Sequence, residues 1–410
     1  MTEAAKTSPA RSGKGQRFAL GAAVGLAILA SIAFLFARPG DPDALWARAK
    51  GEFEGRRFDR AEALMDRVAR LRPPTPMDRM LRAQLEMAGG KVDVALADLD
   101  AVPDDHKMAR QARLQAGQLE LRRNRFVGAE ARFRQALAID PKTIQARREL
   151  VYILGMSLRR AELNANFRAL AELTALNYQE IFLWCLTRGV SWEPLEIIGV
   201  LGKSVEADPA DRWSRLGLAE GLREAHRLDE AEATLAPLGL DDPDARAARV
   251  RLALARGEDA AAEALLAGGP ADHLALALLR GRFALVRGDG PEALRQHRIA
   301  DRLAPHTREP AFGLGQALQM TGDSAAAAPY LDEARKHDRL GTLIQKAATP
   351  ANRADPALMR DLGAACFDVG RLPEARAWYN LAIDKDPSDA QAQEGRARVD
   401  QAARSATPPP

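Results

Sequence analysis

The residue types that carry most enzyme chemistry are sparse in this chain. Its six histidines (His106, His226, His273, His297, His306 and His337) are scattered, and no two lie three to five positions apart. That spacing is what sets two imidazoles on one helix face as metal ligands. Asp104, Asp105 and His106 adjoin after Pro103, a pattern shared with ordinary acidic turns. Cys185 and Cys366 are the two cysteines, too few for a disulfide framework or a Cys-rich zinc site. No His-Glu-x-x-His, phosphate loop, dinucleotide fingerprint or Gly-x-Ser-x-Gly elbow occurs. No catalytic, cofactor or metal site is expected, and the chain does not read as an enzyme.

The composition points to helices. Of 410 residues, 47% are hydrophobic and only 5% aromatic, with alanine, leucine and arginine prominent. These are strong helix formers, whereas strands favour β-branched and aromatic side chains. A net charge of +3 gives no reason to expect a nucleic acid partner. The charge is uneven: residues 42–175 hold 25 Lys and Arg against 19 Asp and Glu, so the remainder beyond 175 is acidic. A basic half near anionic lipid would be attracted to it, and a solvated arginine-rich surface is the simpler reading.

Residues 18–37, FALGAAVGLAILASIAFLFA, carry no charge. About 20 residues of helix span a bilayer core. Lys6, Arg11, Lys14 and Arg17 precede the run, opposed only by Glu3. The expectation is one transmembrane helix, with residues 1–17 a cytoplasmic tail and everything after Arg38 in the periplasm of a bacterial inner membrane. A cleaved signal peptide is the alternative. Its apolar region is usually shorter, and Leu35 is too bulky for the outer position of a small-x-small site before Arg38. Gly21 and Gly25 form a Gly-x-x-x-Gly pair through which two such helices can pack as a homodimer.

Self-comparison gives the strongest signal. GRRFDRAEALMDRVARLRP from Gly55, NRFVGAEARFRQALAIDP from Asn124, HRLDEAEATLAPLGLDDP from His226 and GRLPEARAWYNLAIDKDP from Gly370 share one pattern: a turn, an Ala-containing helix and a proline. A small residue stands twelve positions before that alanine: Ala49 with Ala61, Ala83 with Ala95, Gly117 with Ala129, Ala219 with Ala231, Gly281 with Ala293, Gly315 with Ala327, Gly363 with Ala375. Two antiparallel helices cross closely only where neither presents bulk. A larger residue four positions after the alanine (Met65, Leu99, Phe133, Leu235, His297, Leu331, Tyr379) then fills space toward the next unit. Asp140-Pro141 and Asp386-Pro387 suit the end of one helix and the start of another.

This pattern resembles the tetratricopeptide repeat family. The match is close at Gly117–Pro141, Ala219–Pro243, Gly281–Pro305, Gly315–Asp338 and Gly363–Pro387, fair at 42–75 and 77–107, poor at 144–211 and shortened at 244–270. The resemblance implies an all-α solenoid of antiparallel helix pairs over 42–338, its first helices lining a concave groove. Residues 339–355 read as a linker, 356–404 as a last repeat with a capping helix, and 405–410 as a disordered tail. Along such a solenoid Cys185 and Cys366 lie about five repeats apart, so they are expected to be separate, inert, buried thiols. The aromatics Phe182, Trp184 and Trp192 in the irregular stretch fit core filling, or alternatively a contact surface.

The first helices should bring Gln115, Gln118, Arg122, Glu220, Arg223, Arg282, Phe312, Gln316, Gln319, Arg360 and Phe367 to the groove. Arg and Gln suit an extended peptide or acidic side chains. The Lys-and-Asn set with which some such repeats grip a C-terminal carboxylate is not evident. The expected function is a membrane-anchored scaffold for protein partners in an envelope assembly. The alternative is a subunit or enzyme that holds cell-envelope polymers on the solenoid.

Overall fold

The computed structural model describes residues 40–186 and 194–406. The expected membrane helix with Gly21 and Gly25, and also Trp192, lie outside these residues. Among the described residues no helix is long and apolar enough to cross a membrane.

The described residues form 21 α-helices, a single 3-10 turn at Pro350–Asn352 and no strand. The chain divides into two compact units at Met108. In the first unit α1 (Pro42–Glu54) pairs with α2 (Phe58–Leu71) and α3 (Pro76–Ala88) with α4 (Val92–Asp100). Ala49, Ala61, Met65, Leu81 and Leu85 make their core. Thr75 and Asp78 form a reciprocal capping box at the start of α3, and Arg72 donates to Asp78 at 2.5 Å.

The second unit continues with α5 (Ala109–Arg122), α6 (Phe126–Ile139), α7 (Ile144–Met156), α8 (Arg160–Leu173), α9 (Tyr178–Leu186) and α10 (Pro194–Ala207). Then come α11 (Arg212–Glu224), α12 (Leu228–Leu235), α13 (Pro243–Arg256), α14 (Asp259–Ala267), α15 (Leu274–Arg287) and α16 (Gly290–Leu303). It ends with α17 (Arg308–Met320), α18 (Ser324–Ala348), α19 (Pro356–Asp368), α20 (Leu372–Lys385) and α21 (Ala390–Ala406).

The repeat is written in the backbone. The turn inside each helix pair needs one left-handed residue, and these fall at Arg56, Gly90, Asn124 and Leu158, each 34 positions after the last. His226 lies two such steps beyond Leu158. Gly257 and Gly288 then follow at 31, and Gly322 at 34. The shortened steps hold the short second helices α12 and α14, of 8 and 9 residues, the latter followed by the α14–α15 connection. Arg280 clamps it by donating to the carbonyls of Leu266, Gly268, Gly269 and Pro270 at 2.8–3.2 Å. The last interval, to Gly370, is 48 because α18 runs on to Ala348. Leu340, Ile344 and Ala347 of that extension are buried, in the stretch the sequence leaves as a linker.

The small pairs are the crossing points: every residue of the seven pairs is buried. A methyl on Gly117 would come within 2.6 Å of Phe133, one on Gly315 within 2.5 Å of Leu331, and one on Gly363 within 2.9 Å of Tyr379. So the larger residue packs back onto its own pair as well as forward: Tyr379 also meets Gly395 of α21. Interiors this tightly filled tolerate little added volume.

The second unit closes on itself. One continuous core holds residues of α5–α13 together with residues of α18–α21. The Tyr178 hydroxyl on α9 donates to the Ala347 carbonyl at 2.8 Å. Its ring meets Trp378 of α20 edge-on at 5.4 Å, and the Trp378 indole donates to Cys185 Sγ at 3.3 Å. Trp184 is fully buried, stacked on Phe167 and bonded to Asn164. Phe182 stacks on Tyr178. Trp184 is thus core, with Phe182 packed against that core, at a long-range seam. The expected separation of the two cysteines is overturned. Both are buried in one core, because α9, which carries Cys185, lies against α18 and α20 where the array folds back.

Candidate interaction surface

First helices of successive pairs lie side by side in the second unit, as α11, α13, α15 and α17 do. An ion-pair ladder ties the start of one repeat to the next. Arg148 meets Glu180 at 2.7 Å, Arg212 meets Asp242 at 2.7 Å and Asp244 at 2.5 Å, and Arg308 meets Asp338 at 2.5 Å. Arg360 meets Asp389 at 3.0 Å. Asp244 also takes a hydrogen bond from His273 at 3.1 Å. That bond, with Arg212 and against burial, holds its carboxyl down at about 2.

The ladder and similar pairs consume several of the expected groove residues. Gln118 donates to Glu149 at 3.2 Å. Glu220 accepts from Arg223 at 2.9 Å and from Arg251 at 3.3 Å. Burial opposes ionisation of Glu220, yet the two guanidinium groups hold its carboxyl below the usual range. Arg360 is spent on Asp389. Phe367 is half-buried beneath Arg398, and the carbonyl oxygen of Gln115 is buried without a partner. These six positions fix the array more than they offer it.

The remaining five are outward. Arg122, Arg282, Phe312, Gln316 and Gln319 are exposed. Arg282 makes no ion pair among the described residues. Phe312, Gln316 and Gln319 share one face of α17, beside Arg282 on α15. Val286, one turn beyond Arg282, is the most exposed large hydrophobic residue described, at 82%. Sequence reasoning missed it, although its spacing of four from Arg282 places it on the same stripe. Arg308 stands 5.1 Å over the Phe312 ring and stiffens it. Apolar area, amide groups and one unneutralised guanidinium therefore share a surface made by two adjacent first helices.

Two hollows lie elsewhere in this unit. One of about 680 Å³ opens between the end of α8 and α20–α21, with Arg168, Glu172, Asn380 and Asp400 on its walls. Another of about 460 Å³ holds Arg287 paired with Glu263, and Arg295 paired with Glu292 at 2.6 Å. Among the described residues no three His, Cys, Asp or Glu gather as a metal-binding set.

Family profiles described as tetratricopeptide repeat match residues 80–143 and 312–390, and residues 196–253. The chain carries tetratricopeptide repeats over these residues. Similar solved chains include one from the APC/C hetero-tetramer Cut9–Hcn1, at 16% identity over 89% of this chain and 84% of that one, with a TM-score of 0.35. A tetratricopeptide repeat protein from Parabacteroides merdae is 15% identical over 59% of this chain and 98% of its own, with a TM-score of 0.31. Yeast Tom70 is 12% identical over 96% and 94%, also at 0.31. Among curated proteins none matches this chain in sequence. Tetratricopeptide arrays bind protein partners, and this array is a scaffold of that general kind.

Proposed function

We propose that this tetratricopeptide protein is a scaffold held at a bacterial inner membrane by residues 18–37, with its repeats in the periplasm, where they gather protein partners of an envelope assembly. The uncharged run behind a basic tail supports the anchor and the topology. The observation that carries the binding reading is the surface of α15 and α17. Arg282, Val286, Phe312, Gln316 and Gln319 stay outward on helices whose other polar groups are largely paired within the fold. An extended segment carrying a carboxylate and an apolar side chain suits that mixture. The scaffold performs no chemistry of its own.

The test is crosslinking in intact cells from a photoreactive residue at Gln316 of the full-length protein, beside the same protein with Arg282→Glu. A defined set of envelope proteins crosslinked by the parent and lost in the variant supports the reading. An unchanged set moves the contact off this face. A reporter fused after Pro410 that is active only in the cytoplasm overturns the topology.

A further inference from the structure

The first helix pair presents two flanks, and one of them meets the next pair. On α2 the core edge is Ala61, Met65 and Val68. To one side of it Glu62 accepts from Lys91, the residue before α4, at 2.9 Å. To the other side run Arg60, Leu64, Arg67 and Leu71, whose spacing makes one straight stripe along a helix. On α1, Asp43 accepts from Arg72 at 3.2 Å, and Arg72 also bonds Asp78 at the start of α3. Arg48 lies round the helix on the opposite flank. Glu52, one turn after Arg48, accepts from Arg57 at the start of α2, so the outer flanks of the two helices form one surface.

That surface is basic. Arg48, Arg60, Arg67 and Leu71 are exposed. Arg57 neutralises Glu52, whereas Arg48, Arg60 and Arg67 make no ion pair among the described residues. The chain also enters the fold here. Gly40 lies against Leu45, one turn before Arg48: an added methyl would come within 3.6 Å of it. Gly40 is three residues past the uncharged run 18–37, which is at most about 11 Å of chain. We propose that the outer flank of the first helix pair docks on the anionic lipid surface beside the anchor, with Arg48, Arg60 and Arg67 on headgroup phosphates and Leu71 at the interface. This rests on the anchor reading above and not on the partner surface of α15 and α17.

Distance and charge make the case. Attraction between exposed charges extends over a Debye length, about 8–10 Å in ordinary salt. The short tether holds the flank within about that range of the headgroups, so docking is intramolecular and loses little freedom. Guanidinium groups meet phosphate oxygens with paired N–H donors. Each basic side chain near an anionic surface contributes about fivefold. Stacking in a repeat array leaves the outer flank of the first unit without a neighbouring pair. The lipid surface takes that neighbour's place, and it sets the angle at which the first unit leaves the membrane.

The experiment uses the full-length protein in lipid nanodiscs, either of neutral phosphatidylcholine or of a mixture rich in phosphatidylglycerol. A fluorophore on Ala44→Cys, one turn before Arg48, reports energy transfer to acceptor-labelled headgroups. Ala97→Cys on α4 is the control, and both alanines are exposed. Cys185 and Cys366 are buried and stay unlabelled. Transfer from position 44 should be higher in anionic than in neutral discs and should fall in high salt, with position 97 changing less. Arg60→Glu with Arg67→Glu should lower the docked-to-free ratio by more than about tenfold and return transfer to the neutral level. Arg60→Lys with Arg67→Lys should keep most of it. Equal transfer in both discs, or transfer that survives the two charge reversals, overturns the docking while the anchor stands. Transfer between labels on two copies, indifferent to lipid charge, also overturns it and gives the flank to a second copy. Protein that enters neither kind of disc overturns anchor and docking together. Protein held by anionic discs alone, and released by the reversals, overturns the anchor and supports the docking.

Discussion

His297 fills the space that Gly313 leaves: a methyl on Gly313 would fall within 2.2 Å of the imidazole. On its other side a methyl on Gly281 would come within 2.7 Å. The ring thus bridges one repeat to the next from a position where Leu331, Leu235 or Tyr379 stands in other repeats. It is 4% exposed and neither ring nitrogen has a hydrogen-bond partner. Burial holds its pKa below the usual imidazole value. The unfolded chain takes up a proton below pH ~6.5 and the folded one does not, so this group lowers stability as pH falls through that value. His297→Leu is expected to add about 1 kcal/mol at pH 7. Its advantage should grow from pH 7 to 5. Denaturant melts of both proteins across that range check it, and a constant difference would refute the buried neutral ring.

The crossing glycines and the open ones should respond oppositely to alanine. Gly281→Ala forces a methyl into His297 and is expected to cost about 1–3 kcal/mol. Gly341 lies within α18 with no neighbour within 4 Å of an added methyl. Gly341→Ala should therefore stabilise by up to ~1 kcal/mol through helix propensity alone. Thermal melts of the two variants give opposite signs, and a shared sign would contradict the crossing geometry.

His226 occupies the left-handed turn position with φ of 58°, and it is exposed. Glycine takes that conformation without the Cβ penalty, as it does at Gly257 and Gly288. His226→Gly is expected to raise stability by about 1 kcal/mol, read as a higher urea midpoint at unchanged slope. No gain would mean the imidazole makes a compensating contact.

Asp244 is held down at about 2 from 3.8, by His273 and Arg212. A carboxyl lowered in the folded state supplies stability above its unfolded value and loses it as pH falls from about 4 toward 2. The side chain is 37% exposed, so screening reduces the gain to about 1 kcal/mol. Asp244→Asn should lose that amount at pH 6 and only about a third of it at pH 2.5. Urea titrations at the two values separate a charge effect from a packing effect, which would persist in acid.

What the sequence could disclose followed from locality. Helix, turn and crossing residues lie within one 34-residue unit, so Gly117 with Ala129 and Phe133, or Asn124 at its turn, were visible as a repeating pattern. The groove residues were legible as positions on first helices but not as free or engaged. Glu220 and Arg360 find partners one repeat away, and that pairing depends on how repeats stack. The seam was not legible at all. Tyr178 reaches Ala347 across 169 positions, and no periodicity encodes a contact between the irregular stretch and the end of the array. The tightly spaced aromatics were its one trace.

That seam should behave as one cooperative element. Trp378 is fully buried and joins α20 to α9 through the Tyr178 ring and Cys185 Sγ. Trp378→Ala removes a large side chain from a filled site and is expected to cost about 3–5 kcal/mol. Tyr178→Phe keeps the ring and removes only the hydroxyl bond to Ala347, for about 1 kcal/mol. Hydrogen exchange should locate both losses. Protection should fall together in Tyr178–Leu186 and Leu372–Lys385, more in the tryptophan variant. It should change little in α15 and α17, which have neighbours of their own on both sides. Loss confined to α20, with α9 unaffected, would mean that α9 holds its place through Phe167 and Trp184 alone and that the array does not depend on its seam to close.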